Sequence, residues 1–586
     1  MSDNVHESGA PRRRWGGIGW RFSLVLVVAL LALAGTLAYQ QVVASRRLTG
    51  TILDDYTGRP IPGATVIAGS IRAATNDGGQ FQVHRGISTV QVAATGYDST
   101  TVNVPAGSGT IVVRLRPNTV GGAVLNRVTG HPIAGATVAI AGGTTTTTHT
   151  DARGQFTLRP VPPGASLLIS APGYAAVTIA PGHRERLDVA LRPDRLAGMV
   201  RDAAGKPVAG AQVAVGTLVT TTGNDGSYRL DGVPATGQVM VKAAGFEAQA
   251  VPLDPSLHVD ASLRSQSVRA VYADPATVAT SASLTGMIGM ISKTELNAVV
   301  VDIKDDNGRI YYDTGVALAH QIGAVQQGFD PGQLLSLLHQ HGIYAIARID
   351  VFDDPTLSAQ RPDLAIHTSS GAIWHAWDGR AWVNPYQHQA WDYNTALAVE
   401  AARLGFNEVL LNGVQFPVDG PLSQIDYGVP DTAASRDATI HDFLAQVHAA
   451  LADTPTMLSV EVPGSALWQL DGGGTGVRLS DVATAVDYVC PTVYPSSFPS
   501  GDLGYSLPND HPFEVVLWSL QAGGVRVADG ARELRPWLQD FSRGPGISYG
   551  DAQVTREIQA SGDSGANGWM LWNPTSDYHS GALKPG

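Results

Sequence analysis

The chain has 586 residues, of which 44% are hydrophobic and 15% are charged, so it is long enough for about three or four domains and too apolar to be disordered. Its formal net charge is −12, and these totals imply no basic surface of the size that nucleic acid binding requires. Cys490 is the only cysteine, which excludes an intramolecular disulfide framework and a cysteine-rich zinc site.

The N-terminal segment has the pattern of a membrane anchor. Residues 1–21 form a tail made basic by four arginines, Arg12, Arg13, Arg14 and Arg21. Residues 22–40 contain an uncharged apolar run just long enough for a helix to cross a bilayer. The positive-inside bias then predicts a cytoplasmic tail, a single-pass signal anchor and an extracellular bulk. The alternative is a secreted chain whose signal is cleaved near "VVAS" at Val42–Ser45.

Three copies of a small β-rich unit follow, at residues 48–117, 118–194 and 195–265. Each opens with a strand, a Gly-x-Pro turn and a second strand that begins with Gly-Ala, as in "LTGTILDDYTGRPIPGATV", "VGGAVLNRVTGHPIAGATV" and "LAGMVRDAAGKPVAGAQV". A hairpin signal comes next in each copy: "NDGGQFQV", "DARGQFTL" or "NDGSYRL". The period of roughly 70 to 75 residues is too long for a solenoid unit, so we predict three tandem β-sandwiches.

These landmarks resemble the carboxypeptidase regulatory-like family, a transthyretin-type sandwich that often occurs in tandem on exported bacterial proteins. The resemblance implies a spacer or adhesive module, and we expect the three sandwiches to fold without the rest of the chain. One aspartate stands in each hairpin turn, at Asp77, Asp151 and Asp225. A single carboxylate falls well short of the 6 to 8 oxygens that Ca²⁺ takes, so we expect these residues to form turns.

From Val268 onward, strand-like segments alternate with helical patterns of about a dozen residues, which is typical of a parallel sheet with crossover helices. The eight strand candidates are "VRAVYA", "NAVVVDIK", "YAIARIDVF", "EVLLNGVQF", "TMLSVEVPG", "DYVCPTVYP", "LRPWLQDF" and "GWMLWNP". The clearest helical patterns are "FDPGQLLSLLHQHG", "AWDYNTALAVEAARLG" and "DATIHDFLAQVHAALA". Eight such units over residues 268–586 predict a (β/α)₈ barrel, that is, a TIM barrel.

The functional surface of such a barrel is the C-terminal end of its strands. The polar residues that close the predicted strands are Asp302, Asp350, Asn412 with Gln415, Glu461, Tyr494, Asp540 and Asn573. Tryptophans accompany them, and those predicted to bind substrate are Trp374, Trp377, Trp382 and Trp572. Flat aromatic rings beside carboxyl groups suit a sugar, whose C–H face stacks on the ring. We assign Trp391, Trp518 and Trp537 to packing.

The same part of the chain closely resembles a bacterial family of uncharacterised glycoside hydrolases, (β/α)₈ barrels remotely similar to the α-amylase group. The segments that carry the resemblance include "YAIARIDVFDDP", "RPDLAIHTSSGAIWHAWDGRAWVNPY", "DYVCPTVYPSSFPSGDLGYSLPNDHPFEVV", "RPWLQDF" and "GANGWMLWNP", and it extends over nearly all of Val268 to Tyr578. It implies a (β/α)₈ fold and hydrolysis of O-glycosyl bonds.

The fourth strand departs from the pattern of that family. Its usual ending is Phe-Asp-Tyr-Val-Arg-Phe-Pro, in which the resemblance implies that Asp is the catalytic carboxylate and that Arg orients it. Here the seven positions, 411–417, read "LNGVQFP", so Asn412 replaces the Asp and Gln415 replaces the Arg. The usual Val-Val-Phe-Lys-Asp after the third strand is "DVFDD", which begins at Asp350, and the usual Asp of the fifth strand is Glu461. An amide can be neither a nucleophile nor a proton carrier at neutral pH.

The carboxylates are thus redistributed, and three candidates for catalysis remain: Glu461, Asp540 and Asp350, with Asp302 as outer support. Glu461 would serve as the acid if aromatic surroundings raise its pKa, with Asp350 or Asp540 as base or nucleophile. Each also has a structural alternative: Asp302 could pair with Lys304 or with a loop, Asp540 could cap the loop that it enters, and Asp350 could pair with Arg348 or Arg361.

Two functions therefore stay open. One is a cell-envelope glycoside hydrolase, with full, weak or lost activity, that acts on extracellular or cell-wall polysaccharide. The other is a non-catalytic carbohydrate-binding or adhesive surface protein. We predict no metal and no cofactor, because the histidines lack zinc-type spacing and "DGGGTG" at 471–476 lacks the Lys and Ser/Thr of a phosphate-binding loop.

Overall fold

The computed structural model describes residues 19–44, 47–84, 86–143, 146–326, 328–528 and 530–586, and in the first helix it describes the side chains of residues 26–38. The chain divides into two compact units, Met1–Pro193 and Asp194–Gly586. The first two sandwiches belong to the first unit. The third sandwich and the barrel belong to the second.

Helix α1 covers Gly19–Ala44, and its leucines between residues 26 and 38 are exposed. Within the ranges that the structure describes, no helix has both the length and the apolar content that a membrane crossing needs. The transmembrane helix predicted at residues 22–40 is therefore not supported. Most of the predicted basic tail, including Arg12, Arg13 and Arg14, lies outside the described residues.

Each sandwich pairs a three-stranded sheet with a four-stranded sheet, in the same strand order in all three copies. The first contains β1 (Arg47–Asp54), β2 (Thr65–Ala68), β3 (Ile71–Ala74), β4 (Gln80–His84), β5 (Thr89–Ala93), β6 (Thr100–Asn103) and β7 (Thr110–Leu115). The second contains β8 (Val120–Asn126), β9 (Thr137–Ile140), β10 (Thr147–His149), β11 (Gln155–Leu158), β12 (Leu167–Ala171), β13 (Tyr174–Ile179) and β14 (Val189–Leu191). The third contains β15 (Leu196–Asp202), β16 (Gln212–Val215), β17 (Leu218–Thr221), β18 (Ser227–Leu230), β19 (Gln238–Lys242), β20 (Gln249–Pro252) and β21 (Ala261–Leu263).

A glycine in the first strand of each copy explains part of the repeated sequence. Gly198 of β15 is the register partner of Tyr228 of β18, and a Cβ at Gly198 would lie 3.0 Å from the tyrosine ring and 1.8 Å from a backbone oxygen. The equivalent pairs are Gly50 with Phe81 and Gly122 with Phe156. The buried ring therefore needs a residue without a side chain opposite it.

The structure confirms the predicted turn-forming role for two of the three aspartates. Asp151 accepts hydrogen bonds from the backbone N–H groups of Arg153 and Gln155, and Asp225 accepts one from the N–H of Ser227. In the first copy, Asn76 accepts the equivalent bonds. In the first copy the side chain that holds the turn is therefore that of Asn76, one position before Asp77, and not that of Asp77.

The third sandwich packs against the N-terminal end of the barrel. Lys242, only 1% exposed, donates hydrogen bonds from Nζ to the backbone oxygens of Leu451 (3.2 Å) and Thr456 (3.1 Å). The backbone N–H of Gly245 donates to the hydroxyl of Tyr488 at 2.7 Å. The third sandwich has a hydrophobic core of its own, and it also supplies buried polar contacts to the barrel from the end of β19 and the loop that follows. The expectation that all three sandwiches fold without the barrel stays a prediction.

The strands of the C-terminal part follow the predicted order. They are β22 (Val268–Ala273), β23 (Ala298–Lys304), β24 (Tyr344–Asp350), β25 (His367–Thr368), β26 (Glu408–Asn412), β27 (Ile425–Asp426), β28 (Met457–Pro463), β29 (Tyr488–Thr492), β30 (Trp537–Gln539) and β31 (Gly568–Trp572). Strands β25 and β27 form a small antiparallel sheet, and the other eight close into a parallel barrel. All eight predicted barrel strands are confirmed, and β22 closes the ring on β31 through Val268 and Gly568.

Helices connect the strands on the outside of the barrel. They are α2 (Pro275–Ala279), α3 (Ser281–Ile291), α4 (Ala317–Gln321), α5 (Pro331–Gln340), α6 (Pro355–Gln360), α7 (His388–Leu404), α8 (Ala433–Ala450), α9 (Leu479–Val482), α10 (Pro512–Gly524) and α11 (Asp551–Ser564). The three predicted helical patterns correspond to α5, α7 and α8. Helix α5 begins after Asp330, whose carboxylate accepts from two N–H groups of the first turn, and α7 ends at Gly405 in the left-handed region.

Alternate residues of each strand point into the barrel and form layers. The middle is apolar, with Val300, Ile346 and Leu410 among its buried members. Toward the N-terminal end, Arg535 donates to both carboxylate oxygens of Glu408. At the C-terminal end the inward side chains are polar, and this end carries the candidate site.

Candidate active site

The C-terminal ends of the barrel strands surround a cavity of about 450 Å³. Its lining residues are Tyr272, Asp302, Asp306, Arg348, Asp350, Asp353, Trp382, Asn412, Gly413, Gln415, Glu461, Val462, Pro463, Thr492 and Trp572. The cavity thus brings together seven of the residues predicted from the sequence: Asp302, Asp350, Trp382, Asn412, Gln415, Glu461 and Trp572.

Arg348 on β24 is the centre of the site. Its guanidinium donates to Glu461 Oε2 from Nε at 3.2 Å and to Asp302 Oδ1 from Nη1 at 3.0 Å, and its Nη2 lies 4.0 Å from Asp350 Oδ2. The carbon of the guanidinium lies 5.4 Å from the ring centroid of Trp572. One buried cation therefore faces three carboxyl groups, which come from three different strands.

Asp302 is held on both sides. Its Oδ2 accepts a hydrogen bond from the hydroxyl of Tyr272 at 2.6 Å, and its Oδ1 accepts from Arg348. Burial raises the pKa of Asp302, and Arg348 acts in the opposite direction. The predicted structural alternative, a pair with Lys304, is wrong, because Lys304 Nζ contacts Asp354 Oδ2 at 2.7 Å. Asp302 therefore stands as a support of the arginine.

Asp350 and Asn412 face each other across neighbouring strands. They are register partners of β24 and β26, and Asn412 Nδ2 donates to Asp350 Oδ2 at 2.5 Å. Asp350 is 1% exposed, and its Oδ1 has no hydrogen-bond partner. Burial raises the pKa of Asp350 to about 7, against the opposing effect of Arg348, so this carboxyl group exchanges its proton near neutral pH.

Glu461 on β28 has a different environment. It is the carboxylate whose contact with Arg348 Nε is direct, at 3.2 Å, and its side chain is partly open to the cavity. Burial raises the pKa of Glu461, and Arg348 lowers it both through its charge and through the hydrogen bond. The arginine therefore favours the ionised form of Glu461 more than that of Asp350.

The outer edge of the cavity is formed by a hairpin, residues 373–383, which we call the rim hairpin. His375 and Ala381 pair across it, and Trp382 at its base lines the cavity. Arg380 donates from Nε to Asp353 Oδ1 at 3.1 Å and from Nη1 to Asp306 Oδ2 at 3.0 Å. Burial raises the pKa of Asp353 to about 6. Arg380 thus ties the hairpin to two carboxylates of the cavity wall.

Two other predicted tryptophans have different surroundings. Trp374 is 1% exposed, lies in the main core and donates from Nε1 to the backbone oxygen of Pro421, so no face of its ring is free for a sugar. Trp377 is 73% exposed on the turn of the rim hairpin, outside the lining of the cavity. Of the tryptophans assigned to packing, Trp391 and Trp537 are buried, whereas Trp518 is about half exposed.

Asp540 lies outside the cavity lining. Its carboxylate accepts hydrogen bonds from the backbone N–H and from Nδ1 of His579, as the loop-capping alternative predicts. Asn573 donates to the backbone oxygens of Asp540 and Asp577, so it fixes the same loop. Tyr494 is partly buried and packs its ring on Phe541. The sequence does not show these partners because they lie on separate loops.

Sequence reasoning named Arg348 only as one of two arginines that could pair with Asp350, and it missed Tyr272, Asp306 and Asp353 as residues of the cavity. Arg348 and Asp350 are two residues apart on β24, and this spacing places both inside the barrel. Tyr272 stacks on Trp572, with ring centroids 4.1 Å apart, and Asp306 and Asp353 follow strands as the other site residues do. Strand alternation was the signal that could have identified the positions of Arg348 and Tyr272. In the described ranges, no cluster of three or more His, Cys, Asp or Glu side chains could hold a metal ion.

Several solved structures are similar to parts of this chain. A hypothetical protein from Ruminiclostridium thermocellum has 28% identity, with 34% of this chain and 98% of that chain covered and a TM-score of 0.30. The glycoside hydrolase domain of PgaB (BpsB) from Bordetella bronchiseptica has 12% identity, 53% and 94% coverage and a TM-score of 0.41. A chitinase from Chromobacterium violaceum has 13% identity, 54% and 96% coverage and a TM-score of 0.34. The comparison with curated proteins found no match.

Two protein families match the sequence. The carboxypeptidase regulatory-like domain matches residues 119–192 and 195–266, the second and third sandwiches. The family described as "Putative glycosyl hydrolase domain" matches residues 270–578, which contain the barrel except for the first two residues of β22. With more than half of its length in that match, the chain belongs to this glycosyl hydrolase family.

Proposed function

We propose that the barrel hydrolyses the glycosidic bonds of a polysaccharide, with Asp350 and Glu461 as the two carboxyl groups. The observation that carries the proposal is the cavity in which both groups contact one guanidinium. Glycoside hydrolysis needs two carboxyl groups about 5 to 9.5 Å apart, the shorter spacing for retention and the longer one for inversion. The two contacts with Arg348, at 3.2 Å for Glu461 and 4.0 Å for Asp350, limit how far apart the two groups can lie.

The contacts also assign the two roles. A general acid works best when its pKa lies near the working pH, and the pKa of Asp350 is about 7. Glu461 is the better candidate for base or nucleophile, because its hydrogen bond to Arg348 favours the ionised form. The sequence favours Glu461 as the acid, and the proposal reverses this. Trp572 and Trp382 offer ring faces on which a sugar can stack.

The test is turnover of polysaccharides by the full chain and by two variants. Starch, chitosan and polygalacturonate represent neutral, amino-sugar and uronic-acid polymers, and released reducing ends are counted. We expect one of these classes to be cleaved, and Asp350→Asn and Glu461→Gln each to lower kcat by ~10² to 10⁴. The control is Asp313→Asn, because Asp313 is 94% exposed and lies outside the cavity. Loss of activity in the control would contradict the assignment.

A second function has one observation in its favour. Arg348 compensates the charges of Asp302 and Glu461, and the amides of Asn412 and Gln415 face the cavity, where they can bond to hydroxyl groups without transferring protons. A carbohydrate-binding protein without turnover fits this arrangement. It predicts that the wild-type chain retains an oligosaccharide of one class, that Trp572→Ala weakens this binding, and that no cleaved product forms.

We also propose that the chain works outside the cytoplasm, in the cell membrane or as a secreted protein. The support is the sequence alone: a basic segment followed by the apolar run of residues 22–40. Fusion of alkaline phosphatase after the first sandwich tests the proposal, because this enzyme is active only after export. An inactive fusion at normal expression would reject it.

A further inference from the structure

We propose that the proton donor of this barrel is Asp350 on β24, and that Asn412 and Gly413 of the neighbouring strand and its loop position it. The inference rests on the proposed function and deepens it. It assigns the acid to strand β24, and it names Asn412 and Gly413 as the two residues that an acid at this position requires.

The first step is the place of the carboxyl group. Asp350 and Asn412 end adjacent parallel strands in register, so their side chains leave the barrel wall at the same height. Asn412 Nδ2 donates to Asp350 Oδ2, and Oδ1 is buried without a hydrogen-bond partner among the residues that the structure describes. An amide is well suited to this contact, because its N–H holds one oxygen and no second negative charge is introduced.

The second step is the space for that oxygen. Gly413 has a φ of 64°, a conformation that favours glycine, and a Cβ at this position would lie 2.5 Å from Asp350 Oδ1. This contact is too short for any side chain at 413 while Asp350 keeps its position. Asp350 in this position therefore requires a glycine at 413, and the positive φ of residue 413 favours glycine as well.

The third step joins the two neighbours of the carboxyl group. A second carboxylate at 412 would face Asp350 at hydrogen-bond distance, and a side chain at 413 would press on Oδ1. The amide of Asn412 and the glycine at 413 therefore both suit a carboxyl group at position 350.

The charged groups around Asp350 are consistent with proton transfer. Arg348 lies 4.0 Å from Oδ2, and Lys304 donates to the backbone oxygen of Asp350 while Asp354 neutralises it. The charge of Asp353 raises the pKa of Asp350, and Arg380 pairs with Asp353. Arg348 and Lys304 make their closer charged contacts with other carboxyl groups, so Asp350 can hold its proton near neutral pH.

The experiment measures kcat/KM against pH for the full chain and for Asp350→Asn, with two substrates. One is the polysaccharide that the wild type cleaves, and the other is the 2,4-dinitrophenyl glycoside of its sugar, whose leaving group needs no proton. We expect Asp350→Asn to lose ~10² to 10⁴ of the rate on the polysaccharide and to change little on the aryl glycoside. The alkaline limb of the wild-type profile, near pH 7, should disappear in the variant.

The positioning residues are tested by the same pH profile. Gly413→Ala should displace the carboxyl group and shift the alkaline limb. Gly371→Ala is the control. Gly371 also has a positive φ, of 83°, but a Cβ there would meet none of the described residues within 4 Å. This variant therefore adds backbone strain without a new contact, and it should leave the alkaline limb in place. Asp350→Val with Asn412→Asp and Gly413→Tyr should return the acid to β26 and recover activity that Asp350→Asn has lost.

The outcomes separate this inference from the proposed function. Activity in the wild type that survives in Asp350→Asn on both substrates overturns the role of Asp350 and leaves the hydrolase intact. A wild type that cleaves no polysaccharide, beside a triple variant that does, overturns the inference and shows a site silenced at these positions. Cleavage by neither protein rejects the hydrolase itself.

Discussion

Arg348 shows how one side chain organises the site. Its guanidinium hydrogen-bonds to Asp302 and Glu461 and faces Asp350, so the three carboxyl groups differ mainly in how closely each approaches the same cation. Removing one partner of a buried ion pair leaves the other charge uncompensated, which costs about 3 to 5 kcal/mol. Burial raises the pKa of all three groups, and Arg348 opposes this rise in each of them.

Substitution of this arginine tests its bridging role. Arg348→Lys keeps the charge but not the planar fork that reaches Asp302 and Glu461 together. We expect the variant to lose about 3 kcal/mol or more of unfolding free energy and at least a hundredfold in kcat, both measured on the full chain by urea denaturation and polysaccharide cleavage. Arg361→Lys is the control, since Arg361 pairs with Asp363 at the surface. Equal stability of the two variants would contradict the bridging role.

The proton of Asp350 should also be visible in stability. Its pKa in the folded protein, about 7, lies above the ordinary value of 3.8, so the folded chain binds this proton more tightly than the unfolded chain does. The stability that this group contributes is present below about pH 4 and is lost as the pH rises through about 7, by an amount on the order of 4 kcal/mol.

The side-chain amide of Asp350→Asn cannot bind this proton. The unfolding free energy of the variant, relative to the wild type, should therefore rise by a similar amount between about pH 4 and pH 8. Urea denaturation of both proteins at a series of pH values gives this difference. Asp302 and Glu461 titrate in both proteins, so they largely cancel. A difference that is independent of pH would contradict the raised pKa.

At the scale of elements, Arg380 connects the rim hairpin to the cavity wall. Arg380 bonds to Asp306 and Asp353, and the hairpin carries Trp382 into the cavity. We expect Arg380→Gln to raise KM for the polysaccharide several-fold and to change kcat little, because the proposed function gives Trp382 a role in binding the sugar and none in bond cleavage. The same measurement on Arg361→Gln, which loses only surface contacts with Asp363 and Gln389, is the control.

The strands of the barrel could be predicted because their inward and outward residues alternate and because glycine and proline mark their ends. The same reasoning placed Asp302, Asp350, Asn412 and Glu461 in one cavity. It failed for Trp374, because a tryptophan in a loop sequence does not reveal whether its faces are covered, and here Gly420 packs against the ring. It failed for Asp540 because the partner, His579, is 39 residues further along the chain.

At the scale of the whole molecule, the third sandwich is coupled to the barrel. Lys242 lies fully buried, burial lowers its pKa, and its hydrogen bonds go to Leu451 and Thr456 of the barrel. We expect residues 194–586 to unfold in one calorimetric transition and residues 48–193 in a separate one. Lys242→Ala should split the first transition, since two buried carbonyl groups lose their donor at about 1 to 3 kcal/mol each. A third sandwich that melts alone in the wild type would contradict the coupling.

The contacts of Lys242 and Gly245 join the third sandwich to the end of the barrel where the strands begin, at Thr456 and Tyr488, whereas the cavity opens where the strands end. Within this unit the contacts with the third sandwich and the opening of the cavity therefore lie at opposite ends of the barrel. A ligand can therefore reach the opening of the cavity without contact with the third sandwich.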